Sequence, residues 1–484
     1  MPLAFVADFP ILSSMFPQPP LPEPLWSSIP ADAREALSAI LLLQQTRIEQ
    51  LEALIRELQA RLDQNSGNSS KPPSSDPPGF KPAPTRLPSG KKPGGQPGHP
   101  RNLRVRLEPD RVIDHKPCFC AGCRAPLAGD DPDPRVHQVW ELPPVRPDVT
   151  EHRFHKLTCP CGRATAADAP ADLPADGYGP RLKAAIVYLT GVAHLSKSVA
   201  ERVLEDLFGT PISTGQICAI EAEATGALAP AIEELRGALP EGDVCMDETS
   251  WKQSGRLCWL WVAVAARFTL FHIANSRGRR VVHELLGVGY AHVLSSDRYS
   301  AYGTVVRRQI CWAHLRRDFQ ALIDRGGAGA VVGRELLLAS DMIFTQWHRI
   351  RDGTLLRSTA TRRIRIGLAD EMRSSLGAGL VCGCARTVRF CESLLRDWDH
   401  LWAFCEVEGV EPTNNAAERA LRPAVMLRKK SQGTRSESGS RWVASMLSVS
   451  ATCRQQGRRV WDYLTQVFAA SASGRQAPSL LPTS

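Results

Sequence analysis

Three carboxylates and two close pairs of cysteines stand where their chemistry could be used. Asp247 follows the apolar run Val244-Cys245-Met246, Asp297 follows Ala291-His292-Val293-Leu294-Ser295-Ser296, and Glu418 lies within EPTNNAAERALRP. Both apolar runs have the length and bounding residues of buried strands, so each Asp is expected where a strand ends. Thr413, Asn414 and Asn415 offer N-cap oxygens and Ala416 to Leu421 favour a helix, which puts Glu418 in a first helical turn. Singly, an Asp after a strand is commonly a turn or capping residue, and Glu418 could be the capping-box partner of Asn415. Jointly, two strand ends and a helix can bring three acidic groups together, and that donor set suits phosphoryl transfer. Two divalent ions about 3.5–4 Å apart can activate an attacking oxygen and stabilise a leaving one. Mg²⁺ prefers oxygen ligands and keeps several waters, so a few carboxylates suffice. In this reading Asp247 bridges two Mg²⁺ ions, and Asp297 and Glu418 each complete one.

Cys120 and Cys123 form a C-x2-C knuckle, and Cys159-Pro160-Cys161-Gly162 supplies a second, tighter pair after a β-like stretch around Val136 to Val149. Four thiolates in two knuckles fit one tetrahedral, structural Zn²⁺. Cys118 is a spare thiol, and His115, His152 and His155 are near in sequence, which leaves the fourth ligand open. The region has too little apolar content to make these cysteines an ordinary core.

The elements that must position the carboxylates follow from periodicity. CWLWVAVAARFTLFHIA alternates with period two and breaks at Ala265-Ala266-Arg267, as an antiparallel hairpin does. A helix over Arg277 to Leu286 then leads into the strand before Asp297. Strand, hairpin, helix, strand is the order of a ribonuclease-H-like α/β core. Between it and Glu418, roughly residues 320–410 are helical in pattern and constitute an insertion. Trp398 and Trp402 lie on one face there, and such pairs are more often core than a platform for an unpaired base.

The chain as a whole is expected to be a multidomain α/β protein. Residues 1–27 are Pro-rich and expected to be disordered. Residues 28–64 carry a seam of Leu37, Leu41, Gln44, Ile48, Leu51, Ile55, Leu58 and Leu62 at a 3.5-residue period, the mark of a self-associating coiled coil. Residues 65–102, rich in Pro, Ser, Gly and Lys, form a basic linker. The zinc-finger-like module spans 103–170. A helical domain spans 175–238, where Val199 to Leu207, the turn Phe208-Gly209-Thr210-Pro211 and a helix from Ser213 or Thr214 resemble a helix-turn-helix. Glu221 and Glu223 after the turn favour packing over base reading. The catalytic domain occupies 239–424, and a basic helical region occupies 425–484, entered through a loop after Pro423.

A net charge of +9 over 484 residues does not by itself demand a nucleic-acid partner. Its distribution says more: between Glu418 and Arg459, Arg419, Arg422, Arg428, Lys429 and Lys430 begin a basic excess suited to a phosphate backbone. No apolar run reaches the roughly 18 residues of a membrane span, and no basic leader precedes the first residues. A cytoplasmic protein with reduced cysteines is expected, associated with the nucleoid when on DNA.

In order, MDETS, SDRYSAY, CWAHLRRDF and EPTNNAAERALRP, with NSSKPPSSD and KPGGQPGH upstream, resemble the DDE transposases of the insertion-sequence 66 family. The resemblance implies that Asp247, Asp297 and Glu418 are a catalytic triad that cuts and joins DNA at the ends of a mobile element. It places His314 near the metals, orienting the scissile phosphate or water, with Arg316 and Arg317 on backbone phosphate. It implies accessory proteins from the same element. A nuclease that only hydrolyses, or a zinc-containing regulator with structural carboxylates, would be the other readings.

Overall fold

Pairing and burial extend the first carboxylate's strand well past its apolar run. In the computed structural model, which describes residues 22–69, 76, 98, 104–170 and 173–482, α1 (Glu23–Ser27) and α2 (Ala31–Leu62) precede a small hairpin of β1 (Lys156–Thr158) and β2 (Ala164–Ala166). Next come α3 (Pro180–Val187), a π-helical turn (Tyr188–Val192), α4 (Lys197–Phe208) and α5 (Thr214–Ala238). Then follow β3 (Val244–Gln253), β4 (Arg256–Val264), β5 (Thr269–Ala274), α6 (Arg279–Leu286), β6 (Leu294–Ser296) and β7 (Arg308–Ile310). The remainder is helical: α7 (Trp312–Asp324), α8 (Ala328–Arg351), α9 (Arg357–Arg363), α10 (Ala369–Leu380), α11 (Ala385–Arg396), α12 (Ala403–Glu406), α13 (Asn415–Ser431), α14 (Glu437–Gln455) and α15 (Val460–Ala472). The protein is therefore mixed α/β. Of the stretch 1–27 expected to be disordered, residues 1–21 lie outside the described residues, whereas Glu23–Ser27 form α1; most of the linker, including Lys71, Lys81, Arg86, Lys91, Lys92 and Arg101, also lies outside them.

The chain divides into two units: Met1–Ala83 with Val293–Asn414, and Pro84–His292 with Asn415–Ser484. The second, here the sheet unit, is built on an antiparallel meander of β3, β4 and β5. Asp247 pairs with Val262 in mid-strand, so it does not stand at a strand end as expected. The polar look of Glu248-Thr249-Ser250 hides the continuation, because Trp251 lands on the buried face and Ser254-Gly255, both left-handed, make the two-residue turn into β4. Period two then puts Cys245, Asp247, Thr249 and Trp251 on one face with Val262, Leu260 and Phe271.

That face is covered by α13 and α14. Trp251, Leu260, Val262 and Phe271 form one apolar cluster with Ala417, Leu421 and Ala424 of α13 and Leu447 of α14. The opposite face carries Glu248, buried and paired with Arg277 at 2.8 Å, and Trp261, whose Nε1 donates to the Ser276 carbonyl. The edge of β5 would leave main-chain groups unsatisfied, and α14 supplies their partners. Ser448 Oγ accepts from Phe271 N at 2.8 Å, while Thr452 Oγ1 accepts from Thr269 N and donates to Thr269 O. These bonds explain why a helix facing a core is rich in buried Ser and Thr.

Pro423 sits inside α13, and the helix runs on to Ser431. The expected loop after Pro423 is thus a helix through Arg428, Lys429 and Lys430, stabilised by the apolar contacts of Ala417, Leu421 and Ala424. Beyond it, Thr434 N donates to Lys252 O, Ser254 N donates to Thr434 O, and Trp251 Nε1 donates to Thr434 Oγ1. These bonds fasten the end of α13 to the end of β3.

In the other unit, β6 and β7 pair in parallel and lead to α7. Trp312, Trp347, Trp398, Trp402 and Phe404 build the centre of its core with residues of α7, α8, α10 and α11. Trp398 and Trp402 are ring neighbours at 5.2 Å and buried, so they are core and offer no surface for a base. Buried Gln309 donates to Leu401 O and accepts from Phe404 N, tying β7 to the return of the chain. Along α2, Ile48, Leu51, Ile55 and Leu58 are 46–52% exposed. Part of the expected linker is ordered by hydrogen bonds: Ser66 N and Oγ both donate to the Asp76 carboxylate, and Asn68 donates to Asp324 of α7.

Gly433 tests how α13 is fastened. Its φ is +109° and a Cβ there would lie 2.1 Å from Lys252 O. Gly433→Ala should cost at least about 2 kcal/mol in urea unfolding, more than an ordinary glycine replacement in a loop. An unchanged midpoint would mean that this junction does not hold the helix.

Candidate active site and nucleic-acid surface

Asp247 is on the face of β3 that α13 covers, and Glu418 follows the buried Ala417 on α13. Asp247 Oδ1 also accepts from Glu248 N at 2.9 Å, which orients it.

Asp297 and His314 belong to the other unit. Asp297 follows β6 as expected, and its Oδ1 accepts from Tyr299 N at 2.9 Å in an Asx turn. The surrounding segment is held by arginines. Buried Arg308 donates to Asp297 O, and Arg298 reaches Asp318 at 3.3 Å and Ser393 Oγ at 2.7 Å. Sequence reasoning did not single out Arg298, Arg308 or Asp318, because their importance comes from partners far along the chain. Burial pushes the Asp318 carboxyl up, against the opposing pull of Arg298 and His314. His314 is half-buried in the first turn of α7, one turn before Asp318.

The cations expected on DNA divide into two sets. Arg419, Arg422, Lys429 and Lys430 are exposed on α13, with Met426 also outward between them. Arg428 turns inward: it donates to Thr249 Oγ1, Ser250 O and Ser250 Oγ, and burial lowers its pKa. It clamps α13 to β3, whereas the sequence pattern alone grouped it with the cations expected on phosphate. Arg316 pairs with Asp341 at 2.6 Å, donates to Ser340 and lies over Phe344, which makes it a tie between α7 and α8. Arg317 is half-buried on α7.

The cysteine pairs are each shaped by a tight turn. Cys120 N donates to Ala125 O, Leu127 N donates to Cys118 O, and Arg124 takes a left-handed φ of 61°. In the second pair, Cys159 N donates to Arg163 O and Gly162, at φ 85°, closes the β1–β2 turn. Main-chain N–H groups of Cys123 and Gly122 lower the Cys120 pKa, and that of Arg163 lowers the Cys161 pKa, so both loops favour thiolate. Among the described residues, the two knuckles do not gather three sulfurs within 4.8 Å of one another. No strand forms over residues 136–149, where one was expected. Gln138 instead exchanges side-chain hydrogen bonds with the main chain of Leu107, and Arg104 stacks on Trp140 at 4.5 Å.

Against known proteins, the model of the Transposase IS66 family matches residues 177–441, and that of a family of unknown function matches residues 21–105. Two uncharacterized proteins of Sinorhizobium fredii are similar over most of their length. The first, y4qI, is 24% identical across 89% of this chain and 81% of its own. The second, y4hP, is 25% identical across 76% of this chain and 73% of its own.

Arg428 and Arg422 should behave oppositely on substitution. Arg428→Met should lose about 1.5–3 kcal/mol of stability, the scale of hydrogen bonds made by a charged group, and leave the salt dependence of DNA binding unchanged. Arg422→Gln should leave stability unchanged and lower the slope of log K against log salt by about one. The reverse pattern would refute this division.

Proposed function

Because the chain belongs to the IS66 family of transposases, we propose that it frees the 3′ ends of an insertion sequence and joins them to target DNA, using Asp247, Asp297 and Glu418. What supports this reading is that Asp247 lies on the face of β3 that the basic helix α13 covers and Glu418 lies on α13, inside the segment that the family match covers. The ribonuclease-H-like core is part of the proposal. A three-stranded meander, then α6, then a strand ending at Asp297 is the order such a core requires.

Three carboxylates are a hard-oxygen donor set, and they would hold two Mg²⁺ ions. When bound, such a pair supplies Lewis-acid activation and charge neutralisation at the phosphorus. The chain's own residues bind and orient. Arg419, Arg422, Lys429 and Lys430 take backbone phosphate along α13, and Arg317 does so on α7. His314 orients the scissile phosphate or the water. In the first step, a water oxygen bonds to phosphorus, the P–O3′ bond breaks, and O3′ takes a proton. In the second, that O3′ bonds to a target phosphorus and gives up its proton, while the target's own P–O3′ bond breaks and the leaving O3′ takes up a proton. Asp297 is kept in place by its Asx turn and by Arg308 on its carbonyl.

Cys120, Cys123, Cys159 and Cys161 would hold one structural Zn²⁺, a role their thiolate-favouring loops support. The exposed seam of α2 supports pairing with a second copy. Partners would be element ends, target DNA and accessory proteins of the same element. Among the described residues no helix is long and apolar enough to cross a membrane; a cytoplasmic location with nucleoid association on DNA is part of the proposal.

Strand transfer with Mg²⁺ and element-end DNA tests the proposal. Asp247→Asn, Asp297→Asn and Glu418→Gln should each lower transfer by roughly a thousandfold or more, with DNA affinity retained. Hydrolysis without joining would reassign the protein to the nucleases, and binding with neither reaction, indifferent to Asp247→Asn, to the regulators. Protein purified without chelator should carry one zinc per chain, and Leu51→Asp with Leu58→Asp should reduce its mass in sedimentation; a metal-free or already monomeric wild type would remove those parts.

A further inference from the structure

The unit that holds α8 and α9 carries a charge pattern that the chemistry above leaves unused. Between Met342 and Ala369 the chain has six arginines, Arg349, Arg351, Arg357, Arg362, Arg363 and Arg365, with no lysine and one acidic residue, Asp352. Two of the six are spent locally. Arg357 donates to the carbonyls of Phe404 and Val407 and lies over Trp347, while Arg365 pairs with Glu406 at 3.7 Å and lies over Trp402. Asp352 is occupied in its own turn, where it accepts from Thr354 N and Oγ1. Arg349, Arg351, Arg362 and Arg363 are exposed, and among the described residues none of them forms a salt bridge with a carboxylate.

Helix macrodipoles explain only part of this. Arg349 and Arg351 stand in the last turn of α8, where a cation is favoured by about 0.3–1 kcal/mol. Arg362 and Arg363 have no such reason for their place. α9 runs on through a π-helical turn at Ile364–Leu368 into α10, with right-handed helical backbone at each junction, so both arginines lie inside one continuous helix. Arg362 and Arg365 are three apart on it, and like charges at that spacing destabilise a helix. The fold also sets the two groups beside each other: Arg363 lines a cleft of about 250 Å³ opposite Met342, Thr345 and Gln346 of α8, and Arg349 continues that stripe of α8 one turn on. Arginine, with its planar fork of donors, suits phosphate, and a DNA backbone presents charge at the close, regular spacing that cations spread over two helices can meet.

We propose that the end of α8 and the Arg362–Arg363 stretch before the π turn form a second DNA-binding surface, which takes backbone phosphates independently of α13. The surface rests on the DNA-processing reading and gives the helical insertion a part in it. Arg349, Arg351, Arg362 and Arg363 make the contacts, and phosphate between them removes the repulsion that the free helices carry.

The test uses the full chain carrying Asp247→Asn and a fluorescein-labelled DNA duplex, with anisotropy read across a salt series. Arg362→Gln with Arg363→Gln should lower the slope of log K against log salt by about two and weaken binding at about 100 mM salt by roughly tenfold or more, and Arg351→Gln should lower the slope by about one. Arg362→Lys with Arg363→Lys retains both charges and should retain the slope. Arg334→Gln removes an exposed arginine early in α8, outside the surface, and should change nothing. All these variants should keep the parent melting temperature. Parent-like slopes in the glutamine variants of the surface, with Arg422→Gln still lowering the slope, would overturn the surface and leave the α13 reading intact. An effect of Arg334→Gln as large as that of Arg351→Gln would overturn it as well, since net charge would then be the cause. No duplex binding by the parent would overturn both readings. Loss of polyglutamate binding in the surface variants, with duplex binding unmoved, would give the surface to an acidic protein instead.

Discussion

The seating of α13 on the β3–β5 sheet is the constraint from which the other features of the sheet unit follow. An apolar contact of Ala417, Leu421 and Ala424 on Trp251, Leu260 and Val262 supplies the attraction, and fully burying one side chain such as Leu421 contributes about 1.5–3 kcal/mol. Attraction of this kind is non-directional and would let a helix slide or rotate. Directional bonds remove that freedom: Arg428 reaches Thr249 and Ser250 midway, and Thr434 joins Lys252 and Ser254 at the end. With rotation and register both fixed, Arg419, Arg422 and Lys429 are turned to solvent.

The same principle governs buried polar groups within each of the two units. A sheet edge covered by a helix usually strands its main-chain donors, and α14 meets them with Ser448 and Thr452. Glu248 is desolvated beside Arg277, and Gln309 bonds the chain segment that returns past β7. Each bond is worth little net, on the order of 1 kcal/mol, but leaving any of these groups without a partner would cost more. Their common effect is to fix the geometry of the elements that they join.

Positive charge serves two ends in this chain, and neighbours on one helix differ. Arg428 and Lys429 are adjacent, yet the first is a buried clamp and the second faces solvent. Arg316 is similarly spent on α7–α8 packing. The row left outside is shorter than the count of basic residues suggests.

Local pattern in the sequence determined the kinds of element and several of their limits. The β4–β5 hairpin, the helix after it, the strand before Asp297, the helices from Ser213 and Val460, and both cysteine turns depend on neighbours two to four residues apart, so periodicity and turn residues disclose them. Tertiary structure decided the rest. β3 continues through polar residues because β4 pairs with it and Trp251 finds a buried face; α13 continues through Pro423 because its apolar face is covered; residues 136–149 form no strand, and Gln138 there bonds the main chain of Leu107 through its side chain. Whether an arginine meets a phosphate or a serine carbonyl is likewise set by which face of its helix is covered, and that depends on residues nearly two hundred positions away.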